Sequence, residues 1–316
     1  MWGDSSADQS EDGDLTNVSR FWVGENSASA HFQLGDIGSY GPPKNASNLT
    51  SGFNSATTAS QRTGCWDAWA EAHHTFFSDA GSRKGQFLVG YVGIDCKVHP
   101  SLMLGFLGQV DWMNEKIGSI SSKTDGIGWM VGPYATARLT PDLFFDFRAA
   151  WGRSDNDVDV GGVKGDFGTS RWLIDGQLTG NVEYGDVRIT PEVSLAYIED
   201  RHKTYIDSSN NVVPSQTVSL GRLRFGPEIS RRYVLDTDVI VEPHMSLRGI
   251  WDFVGTDVTL AGVDYNIEGL RGALELGVVV QRPDDYNLRV TAKYDGIGAG
   301  NYHAFGGQIW LNIPLN

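Results

Sequence analysis

Two groups of residues in this sequence have side-chain types that could do chemistry. Ser5 in Gly3-Asp4-Ser5 is a candidate nucleophile, and Glu71 with His73 and His74 has the composition of a metal site. A nucleophilic serine needs a base and an oxyanion hole from a folded core, which the Gly- and Ser-rich segment 1–64 does not supply. Adjacent strand residues point to opposite faces, so His73 and His74 do not chelate one metal. The sequence therefore predicts no catalytic residues, no metal and no cofactor.

A third group of charged and titratable residues lies in the stretch Val241–Phe253. Its residues alternate between an apolar set (Val241, Pro243, Met245, Leu247, Trp251, Phe253) and a polar set (Glu242, His244, Ser246, Arg248, Asp252). A period of two over this length predicts one long β-strand with an apolar and a charged face.

The same alternation recurs in twelve segments. They are roughly 66–77, 86–98, 101–114, 126–139, 142–153, 169–184, 187–199, 216–234, 238–254, 264–282, 286–295 and 301–315. Short connections rich in Pro, Gly and Asp alternate with longer polar ones at about 78–85, 115–125, 154–168, 200–215, 255–263 and 296–300. This order predicts an all-β, twelve-stranded antiparallel up-and-down meander, with tight turns at one end and loops at the other.

The polar faces of these segments collect acids and bases together. The charged candidates for a barrel lumen are Asp146, Arg148, Arg222, Arg224, Glu228, Glu242, Arg248, Arg271 and Glu275. Twelve strands enclose a wider space than the roughly eight whose side chains fill a barrel. We therefore expect the charged face to line a wet interior and the apolar face to meet lipid. These charges either guide a chain in transit or only satisfy one another inside the barrel.

Aromatic residues near the strand ends fit the same orientation. Trp112, Trp151, Trp172, Tyr184, Trp251, Phe253 and Trp310 are candidates for the interfacial girdles of a membrane barrel. The alternative is that they form the core of a soluble β-protein.

Composition limits the class of partner and the cellular setting. The chain has 316 residues and a formal net charge of −14, which argues against nucleic acid as a partner. It contains no apolar run long enough for a transmembrane helix and no signal peptide at Met1, so a targeting segment is expected outside this sequence if it is exported. Cys65 and Cys96 fall on opposite parities, which predicts no disulfide between them.

Several long blocks resemble one known family. They are FLVGYVGIDCKVHPSLMLGFLGQVDWMNE (87–115), GWMVGPYATARLTPDLFFDFRAAWGRSDND (128–157), VPSQTVSLGRLRFGPEI (213–229), EPHMSLRGIWDF (242–253) and YDGIGAGNYHAFGGQIWLNIPLN (294–316). In order and content they are similar to the C-terminal translocator domain of Gram-negative autotransporters, the type V secretion proteins. The resemblance implies a twelve-stranded barrel over residues 65–316 in the bacterial outer membrane, which exports an N-terminal passenger to the cell surface.

The resemblance also implies partners. They are outer-membrane lipid, the passenger in cis, the barrel assembly machinery and periplasmic chaperones; a monomer is expected. The final strand, expected to direct assembly, contains Phe305, Ile309, Trp310, Leu311, Ile313 and Leu315. The chain ends on Asn316, whereas many outer-membrane barrels end on an aromatic residue.

The N-terminal segment 1–64 is interpreted as a linker or passenger remnant. Pro42 and Pro43 oppose the pore helix that usually precedes the first strand in the family. We expect part of 40–64 to thread or plug the barrel, with Lys44 and Arg62 paired to interior acids such as Glu242 or Glu275. A passive outer-membrane pore that secretes nothing is the alternative function, and a soluble all-β binding protein is a third.

Overall fold

The computed structural model describes most of the chain after residue 65. The described residues are 66–79, 82–235, 239–254, 258–260, 263–265, 269–282, 285–300 and 302–314. The sequence predictions for Gly3-Asp4-Ser5 and for segment 40–64 lie outside these ranges. Within them, no helix is both long enough and apolar enough to cross a membrane.

Twelve long strands make up the architecture. They are β1 (Trp66–Asp79), β2 (Arg83–His99), β3 (Leu102–Ile117), β4 (Ser122–Thr140), β5 (Leu143–Val160), β6 (Val163–Gly180), β8 (Val187–His202), β11 (Gln216–Arg231), β13 (Ile240–Val254), β16 (Gly269–Arg282), β17 (Tyr286–Ile297) and β18 (His303–Pro314). The short strands are β7 (Val182–Tyr184), β9 (Tyr205–Ile206), β10 (Val212–Val213), β12 (Tyr233–Val234), β14 (Val258–Leu260) and β15 (Val263–Tyr265). A 3₁₀ turn occupies Gly118–Ile120.

The long strands form one closed antiparallel sheet. Each pairs with the next along the chain, and β18 pairs with β1 over Asp67↔Pro314 to Ser78↔His303. Closure leaves no open edge among the twelve, so all ladder donors and acceptors find partners. The predicted twelve-stranded antiparallel barrel is confirmed.

Burial follows the period of two along each strand. In β5 the even-numbered residues from Phe144 to Val158 are buried, whereas Phe147 and Trp151 on the odd side are exposed. A closed sheet turns one set of side chains inward and the other outward. Along most strands the buried set is largely polar and charged, and the exposed set is largely apolar.

Two of the expected long loops are strand instead. Residues 154–168 form the continuation of β5 and β6, which meet at Gly161 and Gly162. Both glycines have positive φ, +59° and +94°, the backbone that a tight hairpin needs. Residues 115–125 likewise belong mostly to β3 and β4, with only 118–121 between them. The sequence reasoning failed here because these extensions are polar on their outward face, and a polar stretch was interpreted as loop.

The connection from β8 to β11 is the longest fully described one. It contains the small hairpin β9–β10 and packs against the inner face of β6. Tyr205 stacks on Phe167 at 5.2 Å between ring centroids, in the space left by Gly165. Ser208 donates its backbone N–H to the carbonyl oxygen of Lys164 at 2.7 Å.

Candidate functional site

The interior wall of the barrel holds the predicted charged residues. All nine of them, Asp146, Arg148, Arg222, Arg224, Glu228, Glu242, Arg248, Arg271 and Glu275, are between 1 % and 9 % exposed. Side chains alternate between the two faces of a strand, and each of these nine residues occupies an inward-facing position of β5, β11, β13 or β16. Buried charges are costly unless they are paired and hydrogen-bonded, so their partners determine what the wall can do.

One chain of ion pairs crosses four neighbouring strands. Arg222 on β11 donates from Nε to Asp252 Oδ1 on β13 at 2.5 Å. Asp252 also accepts from Arg271 on β16, whose Nε donates to Asp295 on β17 at 2.8 Å. Two arginines and two aspartates therefore alternate along the wall, and each charge faces an opposite one.

A second chain of ion pairs centres on Arg248. Its Nη1 lies 2.8 Å from Glu192 on β8, and its Nε donates to Glu275 on β16 at 3.2 Å. Glu228 accepts from Arg289 on β17, three strands away from its own strand, at 2.6 Å. These side chains span several strands and join the wall into one charge-balanced surface.

The long side chains lie along the wall because small residues separate them from their partners. Arg171 on β6 reaches Asp111 on β3 at 3.0 Å across Gly128 of β4. A Cβ at Gly128 would lie 2.6 Å from the guanidinium and 2.7 Å from the carboxylate. The glycine therefore leaves the space in which this ion pair closes. Most of these charges are therefore paired and lie flat against the wall.

Comparisons with known proteins assign the chain to a family. A family model described as the autotransporter beta-domain matches residues 68–295. The chain belongs to the autotransporter beta-domain family. A search of curated proteins finds no match.

Solved autotransporter barrels share the fold. The beta domain of the Bordetella autotransporter BrkA is 17 % identical, with a TM-score of 0.68 over 79 % of this chain and 100 % of that one. The translocator domain of NalP from Neisseria meningitidis is 15 % identical, with a TM-score of 0.64 over 92 % and 98 %. The transport unit of AIDA-I from Escherichia coli is 12 % identical, with a TM-score of 0.62 over 87 % and 100 %.

Family and fold together define what this autotransporter domain does. It is an outer-membrane transport barrel that mediates export of a passenger carried in cis. The expected translocator function is confirmed, and the passive pore is not better supported.

An aromatic cluster on the inner wall of the autotransporter barrel was not predicted from the sequence. Trp69 donates from Nε1 to the Tyr134 hydroxyl at 2.6 Å, and that hydroxyl donates to Asp95 Oδ2 at 2.5 Å. The rings lie over Gly93 and Gly105, where an added Cβ would come within 2.3 and 2.2 Å of them. The strand register could have revealed this cluster, because Gly93 pairs directly with Trp69 and Gly105 pairs directly with Tyr134.

The girdle prediction is wrong for Trp310. This residue is buried on the inner wall in the same apolar cluster as Trp69. Trp112, Trp151, Tyr184 and Trp251 are exposed on the outer face, and Trp172 and Phe253 are half-buried. The error came from treating every aromatic residue near a strand end as outward, although Trp310 has the inward parity of β18.

The other described residues of the predicted assembly pattern lie on the outward parity of the last strand. Phe305, Ile309 and Ile313 are exposed and Leu311 is half-buried, while Leu315 lies outside the described residues. His73 is buried beside Glu71, and His74 is half-buried on the other parity.

The prediction of no disulfide is wrong. Cys96 is disulfide-bonded, and Cys65, the sequence's other cysteine, lies outside the described residues. The parity argument assumed that Cys65 belongs to the first strand. Trp66, the first described residue of β1, pairs directly with Cys96.

Proposed function

We propose that the segment before β1 crosses the barrel interior, so that residues 1–39 lie at the cell surface as passenger or passenger remnant. The observation that carries this proposal is the pairing of Asp67 with Pro314, since it sets the first and last strands on one rim. With twelve strands and short turns at that rim, this is the periplasmic side. A passenger joined to β1 reaches the surface only by passing the membrane.

Chain length supports this route. Residues 40–64 span up to about 80–90 Å when extended, against a hydrocarbon core of about 30 Å. The segment is small and polar, which suits a wall whose charges are mostly paired with one another. We propose that the nine interior charges form a neutralised lining along which a polypeptide slides.

We further propose that the last strand directs assembly. The outward residues Phe305, Ile309, Leu311 and Ile313, with Trp310 inward and Leu315 next in the sequence alternation, are a C-terminal pattern for the barrel assembly machinery, reached through periplasmic chaperones. The closed sheet, which exposes no strand edge, supports a monomer.

A cysteine at Ser27 tests the route. The Ser27→Cys protein is expressed with a signal peptide in intact Gram-negative cells and treated with a membrane-impermeant maleimide. Labelling in intact cells is expected. A matched Asp186→Cys protein, changed in the connection between β7 and β8 at the periplasmic rim, should label only after the outer membrane is permeabilised.

The two sites together decide the outcome. If Ser27→Cys labels only after permeabilisation, as Asp186→Cys does, the segment remains in the periplasm and a passive barrel is favoured. Folding of each variant is checked by its faster migration in unheated electrophoresis samples.

A further inference from the structure

Two exposed arginines form a row on the outer face of the barrel, just beyond its apolar residues. Arg153 on β5 and Arg201 on β8 each pair directly with Ser170 of β6, which lies between them. All three have the outward parity of their strands, the parity of Trp151 on β5 and Tyr197 on β8. Because neighbouring strands are about 4.8 Å apart, roughly 10 Å separates the two arginines, with the serine hydroxyl between them.

Strand length places this arginine row at the extracellular edge of the apolar band. Arg153 is the eleventh residue of β5, a strand that follows a short periplasmic turn. Ten steps of about 3.4 Å along a strand tilted by about 40° raise the chain by roughly 25 Å, the height of the apolar band in such barrels. Exposed tryptophan rings mark the same edge, since Trp151 packs against Trp129 at 5.5 Å between ring centroids. The arginine row therefore lies at the level of the lipid head groups of the outer leaflet.

Neither arginine of the row has an anionic partner among the residues that the structure describes. Arg153 lies over the ring of Trp151, with its guanidinium carbon 5.5 Å from the ring centroid. Arg231, an exposed arginine at the periplasmic rim, lies 3.8 Å from Asp186 instead. Guanidinium groups bind phosphate through paired N–H donors, and the serine hydroxyl of the row adds a further donor between them. The row therefore offers a set of donors that fits a phosphate group.

We propose that Arg153, Ser170 and Arg201 bind a phosphate group of the phosphorylated glycolipid in the outer leaflet of the outer membrane. Two features favour a lipid phosphate over a phosphate free in solution. The row adjoins the lipid-facing side chains, so the acyl chains of the bound molecule lie on the apolar face directly below it. The contact with Trp151 also holds the Arg153 side chain on the membrane side of the row. The site goes beyond passenger export and does not depend on the route of the N-terminal segment.

Acidic residues beyond the row restrict where the phosphate binds. Asp155, Asp157 and Asp166 are exposed further out on the same face of β5 and β6. Their carboxylates repel a phosphate unless a divalent cation lies between them. The phosphate is therefore favoured at the arginines, between these acids and the apolar band. A cation held by the acids is the competing way to bind the same lipid, and the experiment separates the two.

Binding of a lipid to the full chain in detergent micelles tests the site. Native mass spectrometry follows a titration with bisphosphorylated lipid A in the presence of EDTA, and a second titration with lipid A from which both phosphates have been removed. Arg153→Gln and Arg201→Gln should each weaken binding of the phosphorylated lipid about tenfold, because each removes a hydrogen-bonded charge. The dephosphorylated lipid should bind the wild-type and variant chains equally weakly.

Arg231→Gln is the matched control for these substitutions. Arg231 also lies over an aromatic ring, that of Tyr233 at 5.3 Å, but at the periplasmic rim. Its substitution removes the same charge and should leave the affinity for phosphorylated lipid A at the wild-type value. Faster migration of unheated samples in electrophoresis shows that each variant is folded.

Three outcomes would overturn the proposal. Wild-type affinity in the double variant Arg153→Gln/Arg201→Gln means that the row binds no phosphate. An equal loss of affinity in Arg231→Gln means that only the overall charge attracts the lipid. Binding that requires added Mg²⁺ and survives the double substitution means that the acids hold the lipid through a cation. Surface labelling of Ser27→Cys reports on the passenger route separately, so either idea can fail while the other stands.

Discussion

Leu247 and Ser246 are neighbours that the sheet turns to opposite sides. Leu247 is 57 % exposed on the outer face, whereas Ser246 is 1 % exposed and donates to Glu275 at 3.0 Å. From the sequence we expect an arginine to be better tolerated at Ser246 than at Leu247. The packing of Ser246 against Glu275 removes the basis for that comparison, because an arginine there displaces existing ion pairs. A position on the outer face is the better reference.

We predict that Leu247→Arg impairs folding far more than Val182→Arg. Leu247 lies midway along β13 and faces lipid, where an arginine costs roughly 2–4 kcal/mol. Val182 on β7 is exposed at the periplasmic rim and pairs with the exposed Ile189, so it lies on the same side of the sheet, where the cost is about 0–1 kcal/mol. Denaturant unfolding in lipid vesicles measures both, and equal losses would mean that the outer face does not meet hydrocarbon.

The sequence predicts which face of the sheet a side chain lies on. It does not predict which other side chain it pairs with. Alternation predicts that Arg248 and Glu275 share a face, and both are buried on it. It contains no information on which acid meets which base two or three strands away. Glu228 meets Arg289 of β17, a residue that the sequence reasoning did not select, because register across three strands is a property of the closed sheet.

At the scale of elements, β2 shows how glycines shape the inner wall. Gly93 faces inward beneath the indole of Trp69, while Gly90 has no atom within 4 Å of an added Cβ. One strand therefore contains a tightly packed glycine and an unpacked one.

We predict that Gly93→Ala destabilises the barrel by about 1–3 kcal/mol, the usual cost of overpacking. The new methyl group pushes Trp69 away and strains its bond to Tyr134. Gly90→Ala should be neutral or slightly stabilising, because it only restricts the unfolded chain. Unfolding followed by tryptophan fluorescence compares the two, and similar losses at both positions would contradict the packing role of Gly93.

The hairpin of β5 and β6 continues beyond the apolar band of the outer face. In β5 the outward residues are apolar from Leu143 to Trp151, and Arg153, Asp155, Asp157 and Asp159 follow. Asp157 is directly opposite Asp125 on one side and Asp166 on the other. Like charges facing each other across strands weaken a sheet. The hydrogen bond with Asp166, and then burial and the charges of Asp166 and Asp125, raise the pKa of Asp157.

The raised pKa predicts a hairpin that loses stability as pH rises. A carboxyl that holds its proton more tightly in the folded state stabilises that state at low pH, and the benefit disappears from about pH 3.9 up through the raised value. Asp157→Asn should therefore increase hydrogen-exchange protection of the hairpin amides at pH 7, with a smaller gain at pH 4. Glu199→Gln, whose residue faces Trp172 and Ser219, serves as the control. A gain that is the same at both pH values would exclude the acid pair as its cause.

The sequence predicts that the twelve long strands exist. It does not predict the residues at which they end. All twelve predicted segments correspond to long strands, because alternation within the apolar band is strong. Beyond the apolar band, both faces of β5 become largely polar, so the alternation of apolar and polar residues is no longer visible in the sequence. The backbone pairing continues there because Gly161 and Gly162 close the hairpin.

For the whole molecule, closure depends on contacts between the two ends of the domain. β1 and β18 pair over twelve positions, from Asp67↔Pro314 to Ser78↔His303. Twelve alternating segments are compatible with either an open or a closed sheet. The family resemblance is what predicted a closed one. The barrel and its export function were therefore predictable. The aromatic cluster at Trp69 and the disulfide at Cys96 were not, because both depend on contacts between particular side chains that alternation alone does not specify.

The twelve strands differ in length, and this makes the outer rim oblique. β4, β5 and β6 have 19, 18 and 18 residues, whereas β17 and β18 have 12 each. At about 3.3 Å per residue, the high side exceeds the low side by roughly 20 Å along the strand. A polypeptide that leaves the pore meets a wall on one flank and an opening on the other. The barrel thus has the shape of a spout, with its high side at β4, β5 and β6 and its lip at β17 and β18.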